Sequence, residues 1–454
     1  VNGVEDRSRK ISTGIVVGIV LSCCVSGFLI SYFVIDFPFA TARLDKEWDR
    51  ARKNGIPLTA AELNPQPTLQ DKDNAAIPFL KICSEIKQVQ AKHTMNGART
   101  AADTATWEGE QVNLDLIVPY LDRVSAAMKK PGYWIKRDFD LAAVDFKSPF
   151  EHEISKRIAL ALDTRAELKA KKGDLEGALA DIQAGLRLSQ NIKNEPMLLD
   201  MYVAAFVHKM QFREIARCSG NFANDSIKLK QIRRSVVESD AVSYDLRRVL
   251  LGEVYMMLTW FRNPGRWKSS VDEDDPSKRV TSQEPLLRSG KPTRFPYTAF
   301  FERELEFWNT AIESPEWKSG DDEALSRYLD RLQKATLAKR KTRLSYFEFG
   351  VGQPDYAGIA NPIIEIESYR RVLRSYLLVL EYHAKTGRFP TTLAEAGADT
   401  RDPFKKEASL HYKTDGKTIK IWSIGRNRKD DDGNPKNLKD ISVDYPYTRL
   451  ILRS

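Results

Sequence analysis

The chain has 454 residues, of which 42% are hydrophobic and 29% charged, so it is neither globally disordered nor fibrous. Its net charge of +9 allows attraction to anionic partners, but 71 basic residues are interleaved with 62 acidic ones, so composition makes no side strongly positive, and the tightest basic run, Lys339, Arg340, Lys341 and Arg343, reads as a solvated helix face before a nucleic-acid or phospholipid patch. Two of the four cysteines, Cys23 and Cys24, lie in an apolar run, leaving Cys83 and Cys218 without a CxxC partner; a disulfide framework and a cysteine zinc site are both excluded.

In chain order, residues 1–12 carry Arg7, Arg9 and Lys10 ahead of the uncharged run Ile15 to Ile35. At 1.5 Å per residue that run covers about 31 Å, the thickness of a bilayer's hydrocarbon core. Residues 13–35 are therefore predicted to be a transmembrane helix, with residues 1–12 a cytoplasmic tail held inside by its basic residues and the body beyond Asp36 in the periplasm of a bacterial inner membrane. Ala40-Thr41-Ala42 imitates a signal-peptidase site, but the apolar run exceeds the usual length of a cleavable leader.

Residues 36–75 read as an extended, partly helical stalk, because Pro57, Pro65 and Pro67 stop helix propagation. From 76 to 262 apolar residues recur at helical spacing. The clearest unit runs from Ile154 to Ile192: Ile158, Leu162, Ala166 and Leu168 form one stripe, Gly173-Asp174 a turn, and Ala178, Ile182, Gly185 and Leu186 a second stripe. Residues 263–298 form a proline-rich irregular connection with acidic residues at 272–275, which lack the spacing of an EF-hand. Residues 299–361 return to helical spacing, and 362–454 begin with a long helix striped by Ile366, Tyr369, Leu373, Tyr376 and Leu380 and ended by Gly387. The period then becomes alternating. Leu410 and Tyr412 predict one strand, Ile419 and Ile421 the next, Asp415-Gly416 a two-residue hairpin turn, and Ile441 to Tyr445 a third strand. The predicted fold is mainly α, with one N-terminal transmembrane helix, a helical-hairpin body and a small C-terminal α+β module.

The hairpin resembles a tetratricopeptide repeat: Lys172-Gly173-Asp174-Leu175-Glu176-Gly177-Ala178-Leu179 matches the family's turn and second-helix start. Ala166, Ala178 and Gly185 fall where that family keeps residues small, which implies close helix pairing and stacking on neighbouring helices. The ending resembles the soluble part of type II secretion major pseudopilins, through Gly387-Arg388-Phe389-Pro390, Asp402-Pro403-Phe404, Trp422-Ser423-Ile424-Gly425 and Asp440-Ile441. With Asp73-Asn74-Ala75-Ala76 and the anchor, the whole is similar to a group of planctomycete-type bacterial membrane proteins to which no activity is attached. The pseudopilin resemblance implies a calcium ion in the loop before the last strand, held by Asn427, Asp430, Asp432 and Asp440. Calcium takes six to eight oxygens, which such a loop is able to supply, although Arg426, Arg428 and Lys429 add positive charge there.

No GxSxG, Walker loop, HExxH or strand-linked GxGxxG is present, so no catalytic residue and no cofactor besides that calcium is expected. The expected role is a membrane-anchored extracytoplasmic scaffold or protein-interaction subunit, with lipid around its anchor, a protein partner in the envelope and no nucleic acid. Two other classes stay open: an envelope hydrolase with dispersed carboxylates, and an accessory component of a secretion or pilus-like machine.

Overall fold

A computed structural model describes residues 37–64, 69–96, 114–136, 150–238, 244–262, 287–288, 291–292, 297–340, 358–425, 428–430, 432–433 and 441–445. The expected cytoplasmic tail and transmembrane helix lie outside them; among the described residues no helix is long and apolar enough to cross a membrane. The described chain is mainly helical, with small antiparallel strand pairs toward its C-terminus.

The first helix, α1 (Phe37–Lys53), is the helical part of the segment 36–75, and it packs into the body where an extended stalk was expected. Leu44, Glu47, Trp48 and Ala51 recur at helical spacing and are all buried, giving the segment an apolar face that an extended chain would leave in water. That face packs on α9 (Tyr297–Glu313), about 250 residues further along the chain. Asn309, fully buried between them, fixes the register. Its amide donates to the Glu47 carbonyl and carboxylate, each at 2.9 Å, and its oxygen accepts from Asn54 at 3.0 Å. Prolines take over only after Asn54, and even there Leu63 packs with Trp134 and Tyr255.

Next comes α2 (Ala76–Asn96), preceded by Asn74. The Asn74 side-chain oxygen accepts from the Ala76 and Trp134 amides, both at 3.0 Å, and its amide donates to the Trp134 carbonyl at 2.8 Å. The Asp-Asn-Ala-Ala stretch is thus a helix start that also clips the chain at 132–134, following the short helix α3 (Leu121–Ala127).

Helices α4 (Phe150–Lys171), α5 (Leu175–Ile192) and α6 (Leu198–Gly220) pack pairwise on one another. The first two form the expected hairpin. Gly173, at φ +82°, makes the turn, and the Asp174 carboxylate caps α5 by accepting from the Gly177 amide at 2.9 Å. Ala166 and Ala178 are fully buried, and a Cβ on Gly185 would lie 2.3 Å from the Gln211 carboxamide of α6. Small residues here let the helix axes approach closely.

The chain continues through α7 (Ser226–Ile232), a widened turn at 233–238 and α8 (Leu246–Arg262). It resumes in α9, α10 (Asp322–Arg340) and α11 (Asn361–Thr386), which ends where expected with Gly387 at φ +74°. α11 lies against α6 and α7 and is bound by Lys209–Glu365 at 2.5 Å to α6 and by Arg233–Glu381 at 2.6 Å to the turn that follows α7. One apolar core runs without a break from Leu44 to Ile424.

Beyond Gly387, β1 (Arg401–Asp402) pairs with β2 (Lys405–Ser409), and a three-stranded sheet has the order β3 (His411–Thr414), β4 (Ile419–Ser423), β5 (Ile441–Tyr445), all antiparallel. The β3–β4 connection is corrected. Thr414 pairs with Ile419, so the loop holds four residues, not two. Gly416 does take positive φ, but the Asp415 carboxylate accepts from the Lys417 and Thr418 amides and draws both into the turn.

Candidate functional site

The acidic loop after β4 is built around Trp422, whose indole is almost fully buried. His411 stacks on it, with ring centres 5.1 Å apart, and the Lys413 and Lys420 ammonium groups lie 5.4 and 5.6 Å from the indole centre. Asp430 accepts from the indole N–H at 2.9 Å through Oδ1 and meets the His411 ring at 3.3 Å through Oδ2. Burial opposes its ionisation, but the indole, the Asp432 amide and neighbouring positive charge together hold its carboxyl below the usual range. Asp432 pairs with Lys413 at 2.8 Å, while its carbonyl accepts from Lys420 at 2.8 Å.

These two carboxylates therefore latch the loop over an aromatic ring. Asn427 and Asp440, the other expected calcium ligands, lie outside the described residues. Among the described residues no three of His, Cys, Asp and Glu converge as a metal shell would require, and an ion at Asp430 and Asp432 would have to displace His411 and Lys413.

Two C-terminal sequence pieces that are far apart in the chain meet at Asp402. Asp402, 1% exposed, accepts from the Phe404 amide at 2.9 Å and the Ser423 hydroxyl at 2.8 Å through Oδ1, and from the Ile424 amide at 3.0 Å through Oδ2. Asp402-Pro403-Phe404 and Ser423-Ile424 are thus two halves of one joint between the strand pair and the sheet.

Inside the α4–α6 bundle lies a second group of polar side chains. Asp163 accepts from the Gln211 amide at 2.7 Å, leaving its own Oδ2 and the Gln211 Oε1 without partners. Burial, followed by repulsion from Glu214, pushes the Asp163 carboxyl well above its ordinary range; burial also raises Glu214 to about 7. Cys218 donates to Glu214 at 3.2 Å, and burial foremost raises its thiol; Cys83 is likewise buried and free, as expected for unpaired thiols. Both carboxylates are sealed from solvent, with side chains at most 1% exposed, so a substrate has no access to them.

Two surface features were missed by motif reading. Leu199, Tyr202 and Phe206 sit at i, i+3 and i+7 on α6, each more than a third exposed, and form an apolar stripe; Leu168 of α4, expected in the buried stripe of the hairpin, is exposed as well. Between α11 and β1 lies a cleft of about 220 Å³ lined by Arg370, Arg371, Arg374, Ser375, Asp399 and Arg401. The Arg-Arg-x-x-Arg spacing was visible, but the fourth arginine comes from another element.

Comparison with protein families, with curated proteins and with solved structures finds no match for this chain.

Proposed function

We propose that the chain is a membrane-anchored scaffold, held by a transmembrane helix at 13–35 with its tetratricopeptide-like body outside the cytoplasm, and that the body engages a protein partner in the cell envelope. The observation that carries this reading is the exposed stripe of Leu199, Tyr202 and Phe206 on the third helix of the bundle. Aromatic side chains in an apolar strip are the usual anchors of a protein interface. Among the described residues the perturbed pair Asp163 and Glu214 is buried and lends the hydrolase reading no support.

The test combines topology and contact. Protease added to sealed spheroplasts is expected to digest the body and leave a short anchored fragment; a protected body refutes the orientation. A photo-crosslinking residue at Tyr202 is expected to give one defined adduct in native membranes. Phe206→Glu should abolish that adduct at unchanged thermal midpoint. An adduct pattern indifferent to Phe206→Glu sinks the interface.

A further inference from the structure

We propose that the cleft between α11 and β1 binds a phosphate-type oxyanion. Arg370, Arg371 and Arg374 occupy positions i, i+1 and i+4 of one helix, so all three fall within about 100° of its circumference. Arg401 faces them from β1. Four guanidinium groups and one carboxylate, Asp399, line a cavity of about 220 Å³; with Glu367 behind Arg370 and Arg371 and Glu238 beside Arg374, the cluster keeps an excess of one positive charge. That volume takes a tetrahedral oxyanion with part of its carrier, and guanidinium forks match such oxygens in pairs.

The arginines are held in place from behind. Glu367, one turn earlier on α11 and outside the lining, accepts from Arg370 Nε and Nη2 at 2.8 Å each and from Arg371 Nε at 2.7 Å. Arg371 also donates to the Arg401 carbonyl at 3.2 Å, fastening the strand to the helix. Arg401 grips Asp399 with two prongs, at 3.2 and 3.1 Å, and this pairing first among several causes holds the Asp399 carboxyl down at about 2. Asp399 therefore neutralises one guanidinium at any physiological pH and no more. Arg374 is different: its ion pair is with Glu238, at 3.7 Å, beyond hydrogen-bond length. Four guanidinium groups around one cavity repel one another in proportion to their desolvation, and an anion with several oxygens relieves that repulsion. The frame is built, and Arg374 has the most donors left to give.

The same chemistry comes from free phosphate or from an anionic lipid headgroup, and calorimetry on the full chain in neutral detergent separates the sources. Inorganic phosphate is titrated against chloride at matched ionic strength, and vesicles of phosphatidylglycerol against phosphatidylcholine. Binding of phosphate over chloride is expected, weakened at least tenfold by Arg374→Gln and partly restored by Arg374→Lys, with the thermal midpoint unchanged because Arg374 holds no short bond. Arg157→Gln, a surface arginine elsewhere, should leave binding intact. Phosphatidylglycerol binding that Arg374→Gln removes, without response to free phosphate, assigns the site to a lipid headgroup. Heats equal to those of chloride and phosphatidylcholine, or binding indifferent to Arg374→Gln, overturn the proposal.

Discussion

Two buried aspartates, each 1% exposed, show how differently the two ends of this molecule are held together. Asp163 lies in the helical bundle with one hydrogen-bond donor and one oxygen left over, and its proton affinity rises. Asp402 lies where strands meet, with three donors distributed over both oxygens. Burial is the same; the supply of donors is not. Helices satisfy their own backbone amides and offer a buried carboxylate little, whereas the irregular chain between short strands has amides to spare. Asp163 is thus tolerated among close apolar contacts, whereas Asp402 ties the strand pair to the sheet; where the bundle does supply a buried carboxylate with donors, at Asp181, they come from the Arg165 and Lys169 side chains.

The largest expected effect breaks the joint. Asp402→Ala leaves the Phe404 amide, the Ser423 hydroxyl and the Ile424 amide buried without acceptors, which should cost about 4 kcal/mol. Loss of stability in urea, with faster hydrogen exchange across β1–β4 than in α4–α6, is the expected result. Asp402→Asn keeps one acceptor oxygen and should cost roughly half as much. Equal exchange in both regions would mean that the joint does not hold the module separately.

The counterpart in the helical body is steric. A Cβ on Gly252 of α8 would lie 1.6 Å from the Pro196 carbonyl oxygen, a backbone atom with no rotamer to turn away. Gly252→Ala should cost about 3 kcal/mol through forced helix displacement. Gly185→Ala should cost less, since the atom it meets ends a side chain, although Gln211 is tied to Asp163. Thermal melts of the two variants rank them, and the reverse order would show that the Asp163–Gln211 pair is the more rigid obstacle.

What could be read from sequence divides along the same line. Local physics was legible: the Gly173-Asp174 turn, the helix end at Gly387 and the alternation of β3 and β4 each depend on residues within a few positions. Pairing across the chain was not. Leu44, Trp48 and Ala51 show an apolar face, but nothing near them names α9 as its cover, and the prolines that follow suggested extended chain. The four-residue β3–β4 loop went unread because a side-chain acceptor, Asp415, competes with the backbone rule for Asp-Gly. At the candidate sites, Asp430 and Asp432 stood out as acidic, yet Trp422, His411 and Lys413, which hold them, sit 8 to 19 residues away on β3 and β4. The arginine cleft needed Arg401 brought to α11, which only the fold does.

The smallest expected effect tests the chemical side of the comparison through pH. Burial raises the Glu214 carboxyl from its ordinary 4.5 to about 7, against the pull of Arg217 and the Cys218 thiol. Between those values the folded protein holds a proton that the unfolded chain has released, so the slope of stability against pH is negative there. The stabilisation is complete below about pH 4.5 and is lost as pH climbs through about 7. Asp163, raised by the same burial and by Glu214 itself, acts in the same direction. Urea melts of the intact chain should therefore show the bundle weaker at pH 8 than at pH 5, by about 2 kcal/mol for Glu214. Glu214→Gln carries no titrating proton while keeping an oxygen for Arg217 at 3.1 Å, so its stability should change less over the same interval and exceed the parent's at pH 8. Parallel profiles for parent and variant would mean that Glu214 is ionised in the fold, with Arg217 compensating it. The bundle would then hold its carboxylate by charge, as the C-terminal module holds Asp402 by donors, and the contrast between the two regions would collapse.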